Sequence, residues 1–396
     1  MKLNISNYGT QPVIMRYLAE LVHAQLEMRI PEQIPEGICL DDLMNIAQKG
    51  QMNYLILGAL LKLSLPEDKK EAMQQIMIYS TMRTLEQVCT IRDLQQRLED
   101  AGIRNQLLKG SVLKEIYPTP EMREMSDIDI MIYEPSYEAT EQIITSMGFY
   151  KVEEVKHHAV FVRKPCMMIE MHWALYDKNV DHEQYLYYKD TFRAKKKKDC
   201  NYCYCFSKED FYIYMISHMA KHFYETGCGI RNLLDVYIYQ QKESKNLDQK
   251  YLATELEKCG LTQFERYMRN LAVIWLDGKE CDSFYESLFL YMTDCGIYGK
   301  GENGIWSQVA KSEKNDGKIR SIRRWYYFPP LAYMQENYAW LKNRAFLLPA
   351  AWGARAVLGL VHKDAKKRKK KVFHINSAEQ VTISGIYHKL NLNFKK

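Results

Sequence analysis

Three carboxylates in the middle of the chain have the types and spacing for two-metal chemistry. Asp127 and Asp129 lie one residue apart in SDIDIMIYE, a run that alternates polar and apolar residues. On a strand, that alternation puts both carboxylates on one face and Ile128, Ile130 and Ile132 on the other. Glu170, in the apolar run CMMIEMHWAL, supplies a third carboxylate from a second strand, and His172 shares its face. Carboxylates converging from rigid strands suit Mg²⁺, which prefers oxygen ligands in an octahedral shell. Two such ions stabilise both the attacking and the leaving oxygen of an in-line displacement. Transfer of a nucleotide to a hydroxyl, with pyrophosphate departing, is a reaction of that kind. It also needs a cradle for the triphosphate. Gly110-Ser111 stands between a strand candidate at 104–109 (RNQLLK) and the short helix candidate VLKEIY. Backbone amides and a hydroxyl are thereby offered at a positive helix end. Lys109 and Arg123 flank this turn and the aspartates, and are available for phosphate.

These groups need elements to hold them. Residues 1–102 read as helical, and the stretch from Lys69 to Ala101 contains neither Gly nor Pro. Its apolar residues Ile76, Met77, Tyr79, Met82, Leu85, Val88, Ile91, Leu94 and Leu98 recur at helical spacing, and Gly102 ends the run. From Ile103 the texture changes. The strand candidates RNQLLK, SDIDIMIYE, HHAVFVRK and CMMIEMHWAL, with helices at VLKEIY and Ser136 to Met147, predict a β-α-β-α-β-β unit over 103–175. Helix returns after Lys195–Lys198. Ser207 opens SKED, a capping-box pattern with Asp210 at the third helical position, and helical periodicity runs to about Tyr298. Residues 299–318 are polar and Gly-rich and read as a loop. A helical region at 331–361 precedes the basic run Lys366–Lys371. The expected organisation is an N-terminal helical region (1–102), an α+β core (103–200), a helical domain (201–300), and a loop, helical segment and basic tail (301–396).

Lys109-Gly110, Tyr117-Pro118, Arg123, Asp127-Ile128-Asp129 and Glu170-Met171-His172-Trp173 follow one another in order, and then come His218-Met-Ala-Lys-His222, Arg231 and Asp235. This series resembles the polymerase-beta-like nucleotidyltransferase superfamily. More narrowly, it resembles the bacterial branch described as uncharacterised nucleotidyltransferases. The matches cover about 105–240. Fifteen residues separate Ser111 from Asp127, slightly more than in many superfamily members, and the helix and Tyr-Pro turn absorb the difference. The resemblance implies a small mixed sheet flanked by helices and an NTP donor. It implies two Mg²⁺ or Mn²⁺ ions on Asp127, Asp129 and Glu170, with nucleotide contacts from Lys109, Gly110, Ser111 and Arg123. It raises the chance that His172, His218, His222, Arg231 and Asp235 line the cleft, Asp235 being a candidate base for the acceptor hydroxyl. The acceptor, a small molecule or a protein side chain, is left open.

Other constellations carry less. His218 and His222 share a helix face at zinc-binding spacing, but no obvious third ligand accompanies them. Arg231 and Asp235, also i, i+4, can pair with each other. Cys200, Cys203 and Cys205 lack a second ligand pair, and alternation with Tyr also describes a strand. FLLPAAWGARAVLGLV followed by KKRKKK reads either as an amphipathic helix whose basic flank touches an anionic surface, or as a docked helix with a solvated tail.

Composition bounds the function. Net charge is +6, from 55 basic and 49 acidic residues, and much of the excess sits in Lys366–Lys371. That falls short of the stripe expected of a dedicated nucleic-acid binder, so RNA-end addition ranks below a small-molecule or protein acceptor. A scaffold that kept the fold and lost turnover is the other alternative. Against it, the like-charge pair Asp127–Asp129 is intact. The N-terminus has no apolar signal-peptide region, and the most apolar window, Phe346 to Val361, contains Pro349 and Arg355. With ten scattered cysteines, a cytoplasmic location is expected.

Overall fold

A computed structural model of the chain describes residues 12–300 apart from 134, 155–156, 178–181 and 190–192, together with 303, 324, 326–341, 344–361 and 377–392. Four helices come first: α1 (Val13–Leu26), α2 (Leu40–Gly50), α3 (Asn53–Leu60) and α4 (Glu67–Asp100). The last ends as expected at Gly102, whose φ is +70°. There the Ile103 amide donates to Leu98 O at 2.8 Å, closing the helix end. Its buried stripe differs from the apolar one expected. Met73, Leu94 and Leu98 are buried, but so are Ser80, Thr84, Gln87 and Thr90, while Tyr79, Met82 and Leu85 are exposed. The reason is the neighbour. The middle of α4 covers the segment before Asp127, whose backbone needs donors once it is buried. Gln87 Nε2 gives one to Met125 O at 2.9 Å, and Arg83 gives another.

The α+β unit follows. Its first part runs β1 (Asn105–Leu107), α5 (Lys109–Leu113), a 3-10 turn (Pro120–Met122), β2 (Ile128–Ile132) and α6 (Tyr137–Ser146). β3 (Tyr150–Glu154), β4 (His158–Arg163), β5 (Met167–His172), α7 (His182–Lys189), β6 (Lys195–Lys196) and β7 (Cys203–Cys205) complete it. The strands form one mixed sheet of order β3-β4-β5-β2-β1-β7-β6. The β-α-β-α-β-β expectation omitted β3. That strand is an edge strand exposed along its whole length, with only Tyr150 and Val152 alternating before two glutamates. The strand reading of the alternating Tyr and Cys is met by β7. One sheet face packs Ile128, Ile130, Ile132 and Ile169 against Leu94 and Leu98 of α4 and Ile144 of α6. Its other face carries Asp129 and Glu170.

That second face is covered by α8 (Lys208–Glu225), the first of a helical series. Ser207 caps α8 as the sequence predicts, its Oγ accepting from the Asp210 amide at 3.0 Å. Then come α9 (Arg231–Glu243), α10 (Gln249–Lys258), α11 (Thr262–Leu276), α12 (Ser283–Cys295), α13 (Leu331–Asn337), α14 (Leu348–Val361) and α15 (Ser377–Leu390). One large apolar core joins α1–α3 to α8–α12, so the two helical regions flanking the sheet share an interior. α15 corrects the expectation of a plain tail. Its Ile383, Ile386, Tyr387 and Leu390, at helical spacing, enter that core, and the Tyr387 hydroxyl donates to Phe223 O at 3.0 Å. α14 packs Ala351 and Trp352 against Met334 and Leu341, as a docked helix does. Lys366–Lys371 and nearly all of the expected 299–318 loop lie outside the described residues. Among the described residues, no helix is long and apolar enough to cross a membrane.

Candidate active site

β2 and β5 are parallel neighbours, and Asp129 is the direct register partner of Glu170. Both side chains therefore leave the same sheet face one strand apart. His172, two residues further on β5, completes the group: ligand atoms of Asp129, Glu170 and His172 lie within 4.8 Å of one another. The ring's Nε2 is 2.8 Å from Asp129 Oδ1 and 3.4 Å from Glu170 Oε2. Asp127 stands just before β2 and is half-buried. It is the one expected ligand that the structure does not bring into that group, although its charge is felt by Asp129 and Lys109.

Lys109 opens α5 just past β1, and the preceding Leu108 amide donates to Asp129 O at 3.0 Å. Its φ is +44°, a left-handed conformation that favours glycine. A lysine held there is strained backbone. Its ammonium repays this by reaching Asp129 Oδ1 at 2.6 Å. The electrostatics follow from that contact. Burial alone would raise the Asp129 pKa, but the Lys109 charge and the His172 hydrogen bond hold the carboxyl well below the usual range. Burial likewise works against the Lys109 charge, yet Asp129, Asp127 and Glu170 together raise its pKa. For His172, burial is outweighed by hydrogen bonds to Asp129 and Glu170, and the pKa rises. For Asp127 the Lys109 charge is outweighed. Burial first, then the Asp129 charge, push it up to about 7.

Because glycine tolerates a positive φ, Lys109→Gly removes the ammonium while suiting the turn. The relieved backbone works against the loss of the buried Lys109–Asp129 pair, so circular dichroism is recorded beside the binding assay. A charged hydrogen bond contributes roughly 1.5–3 kcal/mol, so NTP affinity should fall by about 10- to 100-fold, measured by titration with Mg²⁺ present.

Arg123, Arg231 and Asp235 lie deeper than the sequence suggested. Arg123 is 5% exposed and holds Asp235 through two bonds, Nε to Oδ1 at 2.7 Å and Nη2 to Oδ2 at 2.9 Å. The Tyr117 hydroxyl adds a third to Asp235 at 2.7 Å. Asp235 thus pairs with Arg123 rather than with Arg231. Arg231 Nη1 instead donates to Gln51 Oε1 and to Glu124 O, each at 2.8 Å. Glu124, which no sequence pattern singled out, is buried and accepts from Asn53 Nδ2 and the Tyr54 amide, each at 2.9 Å. Together these residues clamp the segment before Asp127 to α3 and α9.

Lys114 is buried beside this cluster. Burial first, then the Arg123 charge, lower its pKa to about 7. A lysine that titrates near 10.4 when unfolded then costs stability at every pH below 7. The cost fades as pH rises from 7 to the ordinary lysine value, because there the unfolded chain binds the extra proton. Lys114→Met should therefore raise the unfolding midpoint at pH 7, and the gain should shrink by pH 10.

α8 closes the face. Buried Tyr214 feels the charges of Asp129, Glu170 and Asp127, which add to burial in raising its hydroxyl pKa. His218 and His222 contact each other, Nε2 to Nε2, at 3.0 Å. Burial, followed by the Lys109 charge, lowers both pKa values, to about 3 for His222. The two neutral rings share one hydrogen bond through Nε2. Ser111 is buried and its hydroxyl has no hydrogen-bond partner. Gly110 packs so closely that an added Cβ would meet Met125 Cβ at 3.1 Å.

The donor chemistry fits a divalent cation. Two carboxylates in register offer the oxygen ligands that a hard cation takes. The sheet, its flanking helices and these paired acids agree with the α+β nucleotidyltransferase fold that the motifs implied. The chain matches the family model described as "Uncharacterised nucleotidyltransferase" over residues 37–277, and it belongs to that family. No curated protein and no solved structure matches it.

Proposed function

We propose that the protein moves a nucleoside monophosphate from an NTP to a hydroxyl of a small-molecule or protein acceptor, using Mg²⁺ or Mn²⁺. One observation carries this reading: Asp129 and Glu170 stand in register on adjacent strands, with the Lys109 ammonium 2.6 Å from Asp129 at a Gly-Ser turn. Asp129 and Glu170 would hold the cations, and Asp127 would complete the set. Bound there, the cations neutralise charge on the attacking and leaving oxygens.

The chain's own groups do the rest. Lys109 balances the polyphosphate charge beside the carboxylates. Gly110 lets α5 pack against Met125, and the Ser111 hydroxyl, which has no hydrogen-bond partner among the described residues, has a proton to give to a phosphate oxygen. His172 holds the Asp129 carboxylate in place through Nε2. Asp235 is saturated by Arg123 and Tyr117, so this reading gives it a structural role and not that of the base.

The acceptor has a recess of its own. A cavity of about 280 Å³ is lined by Met131, Tyr133, Ala174, Tyr188 and Phe206 among others. Met131 and Tyr133 follow Asp129 at every second residue, so they continue the carboxylate face of the sheet. An aromatic recess there suits a ring or an apolar arm. Ala174→Phe should fill it, leaving metal-dependent NTP binding intact while abolishing transfer. Loss of NTP binding in that variant would instead place the nucleotide base there.

The reaction type is tested by incubating the protein and Mg²⁺ with NTPs labelled at the α- or the γ-phosphate, in the presence of metabolite and protein pools. Label from the α-phosphate should enter an acceptor, with pyrophosphate released. Transfer of the γ-label, or release of orthophosphate alone, would contradict the reading. No release from any NTP would favour a binding or scaffold role.

A further inference from the structure

His157, His158 and His172 each bring one ring nitrogen to within 4.8 Å of the other two. The placement is built by the sheet. His158 and His172 are register partners on β4 and β5, and the Trp173 amide donates to His157 O at 3.0 Å. Ring centroids lie 4.6 Å apart for His157–His158, 5.0 Å for His158–His172 and 6.2 Å for His157–His172. Nδ1 of all three rings is buried and has no hydrogen-bond partner among the described residues. A desolvated nitrogen without a partner is costly, and three on neighbouring rings call for a common ligand. Burial lowers the pKa of His157 to about 3 and that of His158 in the same direction. The neutral imidazole is the form that binds metals.

The other nitrogen of His172 supplies a second, independent indication. Its Nε2 faces Asp129 at 2.8 Å and Glu170 at 3.4 Å. A metal-bound imidazole characteristically gives its remaining N–H to a carboxylate, which fixes its tautomer and orientation. The Glu99–Cys200–Cys203 cluster lacks these features. Glu99 already accepts from the Asn201 and Tyr202 amides, and burial pushes the Cys203 thiol up to about 11.

We propose that His157, His158 and His172 bind one transition-metal ion of the zinc class, at a site separate from the carboxylate-bound cation. Three imidazoles suit Zn²⁺ or Co²⁺ and not Mg²⁺. Through His172 this ion holds the N–H toward Asp129 and Glu170, so its loading fixes the orientation of the catalytic carboxylates. The site goes beyond the nucleotidyl-transfer reading and stands without it.

The test uses the full, metal-free chain and no nucleotide. Co²⁺ is titrated in while its visible d–d absorption is followed, and Zn²⁺ is added in parallel thermal unfolding. We expect one equivalent of Co²⁺ to be taken up, and a large excess of Mg²⁺ not to displace it. Zn²⁺ should raise the unfolding midpoint. Both effects should vanish in His157→Gln and His158→Gln and persist in Asp127→Asn and Cys203→Ser. No uptake by the wild type, or uptake unchanged in both glutamine variants, overturns the proposal. Should a variant fail to fold, Zn²⁺ protection of wild-type His157 and His158 from diethyl pyrocarbonate, located by peptide mapping, decides. Full modification of both in the presence of Zn²⁺ would refute the site.

Discussion

Replacing Asp129 by Asn should lower nucleotidyl transfer by at least about 10³-fold, because a cation clamp contributes several kcal/mol to the transition state and each 1.4 kcal/mol is a factor of ten. Asp129 links three of the groups around the carboxylates. It pairs with Lys109, accepts from His172 and is the register partner of Glu170. The amide keeps the shape of the side chain but loses its charge, so it can neither hold a hard cation nor balance the ammonium. The fold should survive, since Asp127 and Glu170 still act on the Lys109 charge. Steady-state turnover beside circular dichroism checks both halves. A variant that keeps turnover within tenfold of wild type would remove Asp129 from the chemistry.

Cutting the Arg123–Asp235 pair should have the largest effect on stability. Asp235→Ala leaves a buried guanidinium without its anion, and breaking such a pair from one side costs about 3–5 kcal/mol. The Tyr117 hydroxyl loses its acceptor as well. Replacing both ends by apolar residues, Arg123→Met with Asp235→Leu, should recover much of that loss, because no uncompensated charge stays buried. Urea unfolding of Arg123→Met, Asp235→Leu and the double variant measures the coupling. If Arg123→Met alone leaves stability unchanged and instead weakens NTP binding, the residue serves phosphate and not the fold.

The carboxylates were legible because alternation on a strand is a strict code. Asp129 with Ile128 and Ile130, and Glu170 with His172, could be assigned to faces from spacing alone. The partners of Arg123 and Asp235 were not. Local spacing pointed to an Arg231–Asp235 pair, but both residues are buried on α9 against the segment before β2, and contacts between distant segments have no spacing rule. The same limit hid the histidine trio. HHAVFVRK reads as a strand, and only the register of β4 on β5 sets His158 beside His172. Polar burial misled on α4, where Ser80, Thr84 and Gln87 lie inward because they cover backbone and not an apolar core. β3 was missed because an exposed edge strand has no buried face to give it a pattern.

The measurement that bears most directly on the whole account is thermal unfolding with each of the four NTPs, with and without Mg²⁺ or Mn²⁺, for wild type and Asp129→Asn. A ligand at about 100 times its Kd stabilises the native state by roughly 2.7 kcal/mol, which is a visible shift in midpoint. The account predicts a shift in the wild type that requires both NTP and metal, and its loss in Asp129→Asn. An NTP shift that is independent of metal, or that is equal in the two proteins, would place the nucleotide away from these carboxylates and contradict it.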